Sequence, residues 1–195
     1  MSVSVETAAY VRPMPGEYVG GDAAVIREID DGLLVAIVDV LGHGSEANEL
    51  ASRIGDFLNR TPLTEPEEVM EALHRHIRGS RGAAAGISRI STAAGTLSYV
   101  GHGNTQARRL WRNPARLISR DGLIGSHVRS AQAQTMTLSP GDVLVFYTDG
   151  VKDRFELSDY RHAISDTPRF IARNVVEMFG KEHDDAACIA VKVGD

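Results

Sequence analysis

Four acidic positions lie where apolar runs of the chain begin or end. Asp22 follows Gly20-Gly21, and Asp39 closes the run LLVAIV. Asp149 closes VLVFYT and precedes Gly150, while Asp184, with Asp185 beside it, precedes the last apolar run. A carboxylate fixed at the end of a buried strand is cut off from bulk water and costly unless paired or bound to a cation. Several such groups converging repel one another, and a divalent cation removes that repulsion. Oxygen ligands favour Mg²⁺ or Mn²⁺ over zinc or copper. Taken singly, an aspartate before a glycine is an ordinary turn residue. The stretch Asp39-Val40-Leu41-Gly42-His43-Gly44 is more specific, because two glycines flank a histidine directly before a helix. Glycine allows close backbone approach, and a helix N-terminus favours an anion.

The elements that must position these groups follow from periodicity and turn chemistry. Residues 45–60 place Ala47, Leu50, Ala51, Ile54, Phe57 and Leu58 on one stripe, with Ser45 as expected N-cap and Thr61-Pro62 as the stop. Residues 64–78 begin Thr64-Glu65-Pro66-Glu67, the pattern of a capping box, and Gly79 follows. Residues 167–179 form a third helix between Thr167-Pro168 and Gly180, its expected apolar face carrying Ile171, Val175 and Met178. Strands are expected at 23–29 and 33–40, joined through Asp30-Asp31-Gly32, a strong hairpin signal. Further strands are expected at 86–91, 95–100, 106–111, 116–119, 134–138, 143–147 and 186–193, with 12–21 and 151–166 the least structured stretches. Strand-rich blocks with hairpin connections, separated by helices, imply an antiparallel α+β fold of two packed sheets covered by helices. Runs such as 33–38 are apolar on both faces, as sandwiched strands should be.

In order and spacing, Gly20-Gly21-Asp22, Asp39-Val40-Leu41-Gly42-His43-Gly44, Thr148-Asp149-Gly150-Val151 and Asp184-Asp185 resemble the motifs of the metal-dependent protein phosphatases. This is the protein phosphatase 2C superfamily, and the SpoIIE-like branch in particular. LSPGDVLVFYTDGV and YVGHGNTQARRLW also resemble segments of that branch, so the likeness spans about residues 16–193. It implies an αββα four-layer sandwich with two Mn²⁺ or Mg²⁺ ions at one edge. By the match, Asp39 bridges both ions, Asp22 and the Val40 carbonyl hold one, and Asp149 and Asp184 hold the other. Asp185 rivals Asp184 for its place. Such a site activates water for in-line attack on phosphorus, with no covalent enzyme intermediate. His43 either orients that water, protonates the leaving oxygen, or makes a structural loop hydrogen bond. Cys188, in an apolar run with no phosphate loop after it, reads as core. His74, His76, His162 and His183 read as surface residues, His102 as a loop contact, Asp142 as a turn residue and Trp111 as packing.

Two departures bear on the substrate. Larger members carry an arginine before the first acidic motif to grip phosphate; here Gly16, Glu17, Tyr18 and Val19 stand there, with Arg12 further off. The long insertion that forms a flap in larger members is also missing. A bare catalytic domain of this size most resembles the RsbX-like phosphatases that reset the bacterial stressosome, whose substrates are phosphoserine and phosphothreonine on STAS-domain proteins. The expected function is therefore hydrolysis of such groups on a signalling protein. A pseudophosphatase that binds a phosphorylated regulator without turnover is the alternative, opposed by the filled acidic positions. A dimetal esterase or nuclease acting on small phosphoesters is a third.

Composition bounds the rest. With 195 residues the chain fits one domain, 1–195, and 43% hydrophobic with 24% charged residues argues against disorder. A net charge of −5 leaves no basic face for nucleic acid. One cysteine excludes an internal disulfide or a cysteine zinc cluster. No apolar stretch approaches the roughly 18 residues of a membrane span, and the N-terminus has no signal-peptide pattern. A cytoplasmic monomer, away from membranes, is expected.

Overall fold

A computed structural model describes residues 2–110, 113–128, 130, 132–152, 155 and 166–194. Trp111, His162 and most of the 151–166 stretch lie outside the described residues. The chain runs β1 (Ser4–Arg12), β2 (Asp22–Ile29), β3 (Gly32–Val40), α1 (Gly44–Arg60), α2 (Pro66–His76), β4 (Ala83–Ser91), β5 (Thr96–His102), β6 (Gln106–Arg109) and β7 (Ala115–Leu117). It continues through β8 (Gly122–Leu123), β9 (His127–Val128), β10 (Gln134–Thr137), β11 (Val143–Tyr147), α3 (Pro168–Phe179) and β12 (Ala186–Gly194). One sheet has the order β1-β12-β11-β6-β7 and the other β10-β5-β4-β3-β2, every pair antiparallel; β8 and β9 form a separate small hairpin. This is the α+β, αββα arrangement expected from the sequence.

Alternation along the strands builds the layers. In β3, Val35 and Ile37 face the other sheet and meet Ile90, Tyr99, Phe146 and Ile189. Leu34, Ala36 and Val38 face outward and are covered by Ile54, Leu58 and Leu73 of α1 and α2. On the opposite side, Ile171, Val175 and Val176 of α3 cover Val145, Tyr147 and Cys188. Fully burying a side chain such as Ile37 or Leu58 is worth about 1.5–3 kcal/mol relative to exposure. Two buried faces on one strand therefore fix its register strongly.

Several local details differ from the sequence reading. The N-cap of α1 is His43, not Ser45, and it makes no side-chain cap bond. The α2 cap is Glu65, not Thr64, again without a side-chain bond. Glu67 does not reach back to close a capping box; its Oε1 accepts from Ala133 N at 2.8 Å instead. Thr167 does cap α3, accepting from Phe170 N. Met178 is 58% exposed, and Ala172 and Val176 complete the apolar face in its place. β4 begins at Ala83 rather than 86, because Ala83, Ala84 and Ala85 pair with Val40, Asp39 and Val38. Alanine favours helices by propensity, and central-strand burial overrides it here. β1, absent from the expectation, is an edge strand of alternating, half-exposed residues paired along its whole length with β12. The hairpin through Asp30-Asp31 stands as expected, Ile29 opposite Gly32.

Candidate metal centre

Both sheets deliver carboxylates to one end of the sandwich. Asp22 opens β2 and Asp39 lies near the end of β3, and the two are cross-strand partners. Asp149 follows β11 through Thr148, and Asp184 precedes β12. Thr148 stitches the sheets together: its hydroxyl donates to Asp22 Oδ2 at 2.6 Å and accepts from Ala187 N at 3.0 Å.

Asp185 has a different task from Asp184. It is buried, its Oδ1 accepting from Met14 N and its Oδ2 from Gly21 N, both at 2.7 Å. Asp185 thereby ties down the loop that carries Asp22. Two glycines are required for this. A Cβ on Gly20 would lie 2.4 Å from Asp185 Oδ1, and one on Gly150 would lie 1.7 Å from the Asp185 carbonyl. Asp184 is half-exposed and stands by Asp149, with Lys181 close to both.

The electrostatics are those of anions held too close together. Burial, then the charge of Asp39, raises Asp22 well above the carboxylate range, opposed by the Thr148 hydrogen bond. Burial, then the charges of Asp149 and Asp184, pushes Asp39 up to about 7. A hydrogen bond from Asn104 to Asp39 works the other way. Burial and Asp149 raise Asp184, and Lys181 lowers it. Burial pushes the Cys188 thiol up as well, so this cysteine is an inert core residue.

The donor set fits a hard divalent cation: the side chains offer oxygen alone, and their mutual repulsion is relieved by positive charge. The side chains adjoin in pairs, as Asp39 and Asp149 do through a hydrogen bond. Among the described residues, no three histidine, cysteine, aspartate or glutamate side chains form a ready-made cage. Val40 is buried, its N–H donating to the Gly21 carbonyl at 3.1 Å. Its own carbonyl would lie 2.9 Å from a Cβ on Gly21.

His43 stands apart from the carboxylates. Its Nδ1 lies 3.2 Å from Glu17 Oε1, and its side chain is 62% exposed at the start of α1. His102 is buried at the end of β5, its ring bonded to the Asp121 backbone. His74 accepts from Gly125 N at 3.1 Å, while His76 stacks on Phe57. Asp142 shapes its turn, accepting from Ser139 N at 2.9 Å.

A cleft of about 410 Å³ opens beside Asp39, lined also by Leu41, Ala84, Asn104, Asp121 and Leu123. Sequence reasoning assigned no role to Thr148, Asn104, Asp121 or Lys181. Thr148 lies inside a quoted motif and Asn104 inside YVGHGNTQARRLW, but their partners are distant in sequence. A second cleft, of about 300 Å³, lies under α2 beside His74 and His102 and touches none of the four carboxylates.

Residues 29–194 match the family described as Stage II sporulation protein E (SpoIIE). The chain belongs to this family of protein phosphatase 2C type. It is 25% identical, over 151 residues, to the phosphoserine phosphatase RsbX of Bacillus subtilis (strain 168), covering 75% of each chain. A solved structure concerning the bacterial stressosome superposes with a TM-score of 0.88 at 23% identity, covering 97% of this chain and all of that one. RsbX in complex with magnesium gives a TM-score of 0.82 at 22% identity, over 98% of this chain and all of RsbX. By class the chain is a phosphoprotein phosphatase, and phosphatases of this family depend on metal. No helix among the described residues is long and apolar enough to cross a membrane.

Proposed function

We propose that residues 1–195 act as one Mn²⁺- or Mg²⁺-dependent serine/threonine phosphatase domain, a cytoplasmic monomer that dephosphorylates a bacterial signalling protein. The substrate class we assign is phosphoserine and phosphothreonine on STAS-domain components of a stressosome. The observation that carries this reading is the meeting of four strand-end aspartates, two from each sheet, with Asp22 opposite Asp39. In this reading Asp22 and the Val40 carbonyl would hold one ion, Asp149 and Asp184 would hold the other, and Asp39 would serve both. Asp184 is preferred over Asp185 because both Asp185 oxygens already accept backbone N–H groups. When bound, the ions supply an activated water and positive charge for the phosphoryl oxygens.

The chain's own residues do the positioning. Asn104 orients Asp39, and Thr148 orients Asp22. The cleft beside Asp39 takes the phosphorylated side chain, with Leu41 and Leu123 as its apolar walls. His43, exposed at the start of α1 beside Glu17, is assigned the proton for the leaving oxygen. Leu41 is 48% exposed and Tyr18 99% exposed, apolar surface suited to a folded protein partner.

The deciding experiment is phosphate release from phosphorylated STAS-domain proteins, with and without Mn²⁺ after chelation. Metal-dependent turnover is expected, with a higher kcat/KM on the folded domain than on its phosphopeptide, because remote contacts position the phosphate. Binding without turnover would replace this reading with a pseudophosphatase. Equal kcat/KM on domain and peptide would remove the docking component.

A further inference from the structure

Lys181 stands beside the second pair of carboxylates. Its Nζ lies 3.8 Å from Asp149 Oδ2 and 3.9 Å from Asp184 Oδ2. The backbone delivers it there. Lys181 N–H donates to the Gly150 carbonyl at 2.7 Å, one residue from Asp149. The Lys181 carbonyl accepts from Arg12 Nη2 at 2.7 Å, which fixes the other side of the same residue. Glycine at 180 makes the approach possible: a Cβ there would lie 2.3 Å from the Val176 carbonyl and 2.8 Å from Arg12 Nη2. Val151 bridges Gly180 and Lys152 N donates to Phe179 O, so the end of α3 is laced to the segment after Asp149.

We propose that Lys181 is a resident counter-cation for Asp149 and Asp184 that competes with the divalent ion this pair is assigned above. The inference rests on that metal assignment. The ammonium sits between two anions that would otherwise repel, so it holds them together before an ion arrives. An entering ion meets positive charge already in place and must displace it; the flexible four-carbon stem lets the ammonium move while the backbone stays pinned. The side chains of Lys181, Asp149 and Asp184 are 43%, 39% and 44% exposed, so solvent and salt screen the effect and keep it moderate. The Asp22–Asp39 pair has no cation of this kind within ion-pair distance among the described residues. Its ion should therefore bind without this competition.

The test uses the full chain and Lys181→Met, which keeps the stem and removes the charge. Mn²⁺ binding is followed by calorimetric titration at low and high salt, and thermal unfolding is recorded in chelator and in saturating Mn²⁺. Asp184→Asn identifies the binding event that belongs to this pair by weakening it selectively. At low salt, Lys181→Met is expected to tighten that event about five- to tenfold, with the gain shrinking near 1 M salt. Its Tm in chelator should fall below that of the wild type, and in saturating Mn²⁺ the order should reverse. Lys181→Gln is the second variant should Lys181→Met fail to fold. Unchanged or weaker Mn²⁺ binding in the charge-free variant, while Asp184→Asn still removes its event, overturns the competition and leaves the metal assignment standing. Absence of any Mn²⁺ binding by the wild-type chain overturns both.

Discussion

Asp22 and Asp39 face each other across the β2–β3 ladder, where Asp22 is only 8% exposed. Asp149 and Asp184 stand about two-fifths exposed beside an ammonium group. Both pairs concentrate negative charge at one end of the sandwich, yet they are relieved differently. The first is relieved by neutral donors: the Thr148 hydroxyl on Asp22 and the Asn104 hydrogen bond on Asp39. The second is relieved by water and Lys181. A buried carboxylate that meets only neutral donors gains a proton more easily than one that meets a cation. Burial accordingly raises Asp22 well above its ordinary value and pushes Asp39 up to about 7. The first pair should govern how the metal-free protein responds to pH, and the second how it responds to salt.

The largest expected effect falls on the residue shared by both halves. Asp39→Asn should lower kcat by more than about 10²-fold, the scale on which positioned catalytic groups act. The fold should survive, and Tm in chelator should rise, because a repelling buried charge is gone. Turnover within a few-fold of wild type in a folded, metal-saturated variant would remove Asp39 from the centre of the site.

Neighbouring residues give the sharpest contrast. Asp185→Ala strips the acceptor from two N–H groups, those of Met14 and Gly21, and should destabilise by about 2–4 kcal/mol. Asp184→Ala should leave stability nearly unchanged and cost activity instead. Denaturant melts beside phosphatase assays separate the two, and a reversed pattern would exchange their roles. Thr148→Val is the next smaller effect. It keeps shape but removes the donor to Asp22 and the acceptor for Ala187, at a cost of about 1–3 kcal/mol by urea titration.

These contrasts mark what could be read from the sequence. The four acidic positions, the Asp30-Asp31-Gly32 hairpin and the doubly buried β3 were legible because each signal is local: a turn pattern, an apolar run, a residue at its end. β1 was not, since an edge strand with one half-exposed face lacks a strong apolar period. The caps of α1 and α2 differ from the expectation because Ser45 and Thr64 carry the right chemistry, but the chain enters α1 two residues earlier, at His43, and α2 one residue later, at Glu65. Asp185 could not be told from Asp184, because its partners Met14 and Gly21 lie more than 160 residues away. Thr148 and Asn104 were hidden for the same reason, their carboxylates being distant in sequence, whereas Lys181 lies three residues from Asp184 and only its approach to Asp149 depends on the fold.

The smallest effect tests the opening contrast most directly. Asp39 is pushed up to about 7 in the folded protein, above the ordinary value near 3.8 that applies when the chain unfolds. Between those values the native state holds a proton that the unfolded state has released. Stability therefore falls as pH rises through that window and levels off once Asp39 is ionised in both states. In chelator, Tm should decline from about pH 5 to about pH 7.5, and Asp39→Asn should flatten much of that slope. Asp22, also raised, contributes in the same direction, so some slope should remain in the variant. Saturating Mn²⁺ should reverse the trend, because an ion that binds the ionised carboxylates binds better as protons leave. Lys181→Met should change the salt dependence and leave this pH slope largely intact. If Lys181→Met flattened the slope and Asp39→Asn did not, the proton would reside on the exposed pair, and the division between a proton-relieved and a cation-relieved pair would fail.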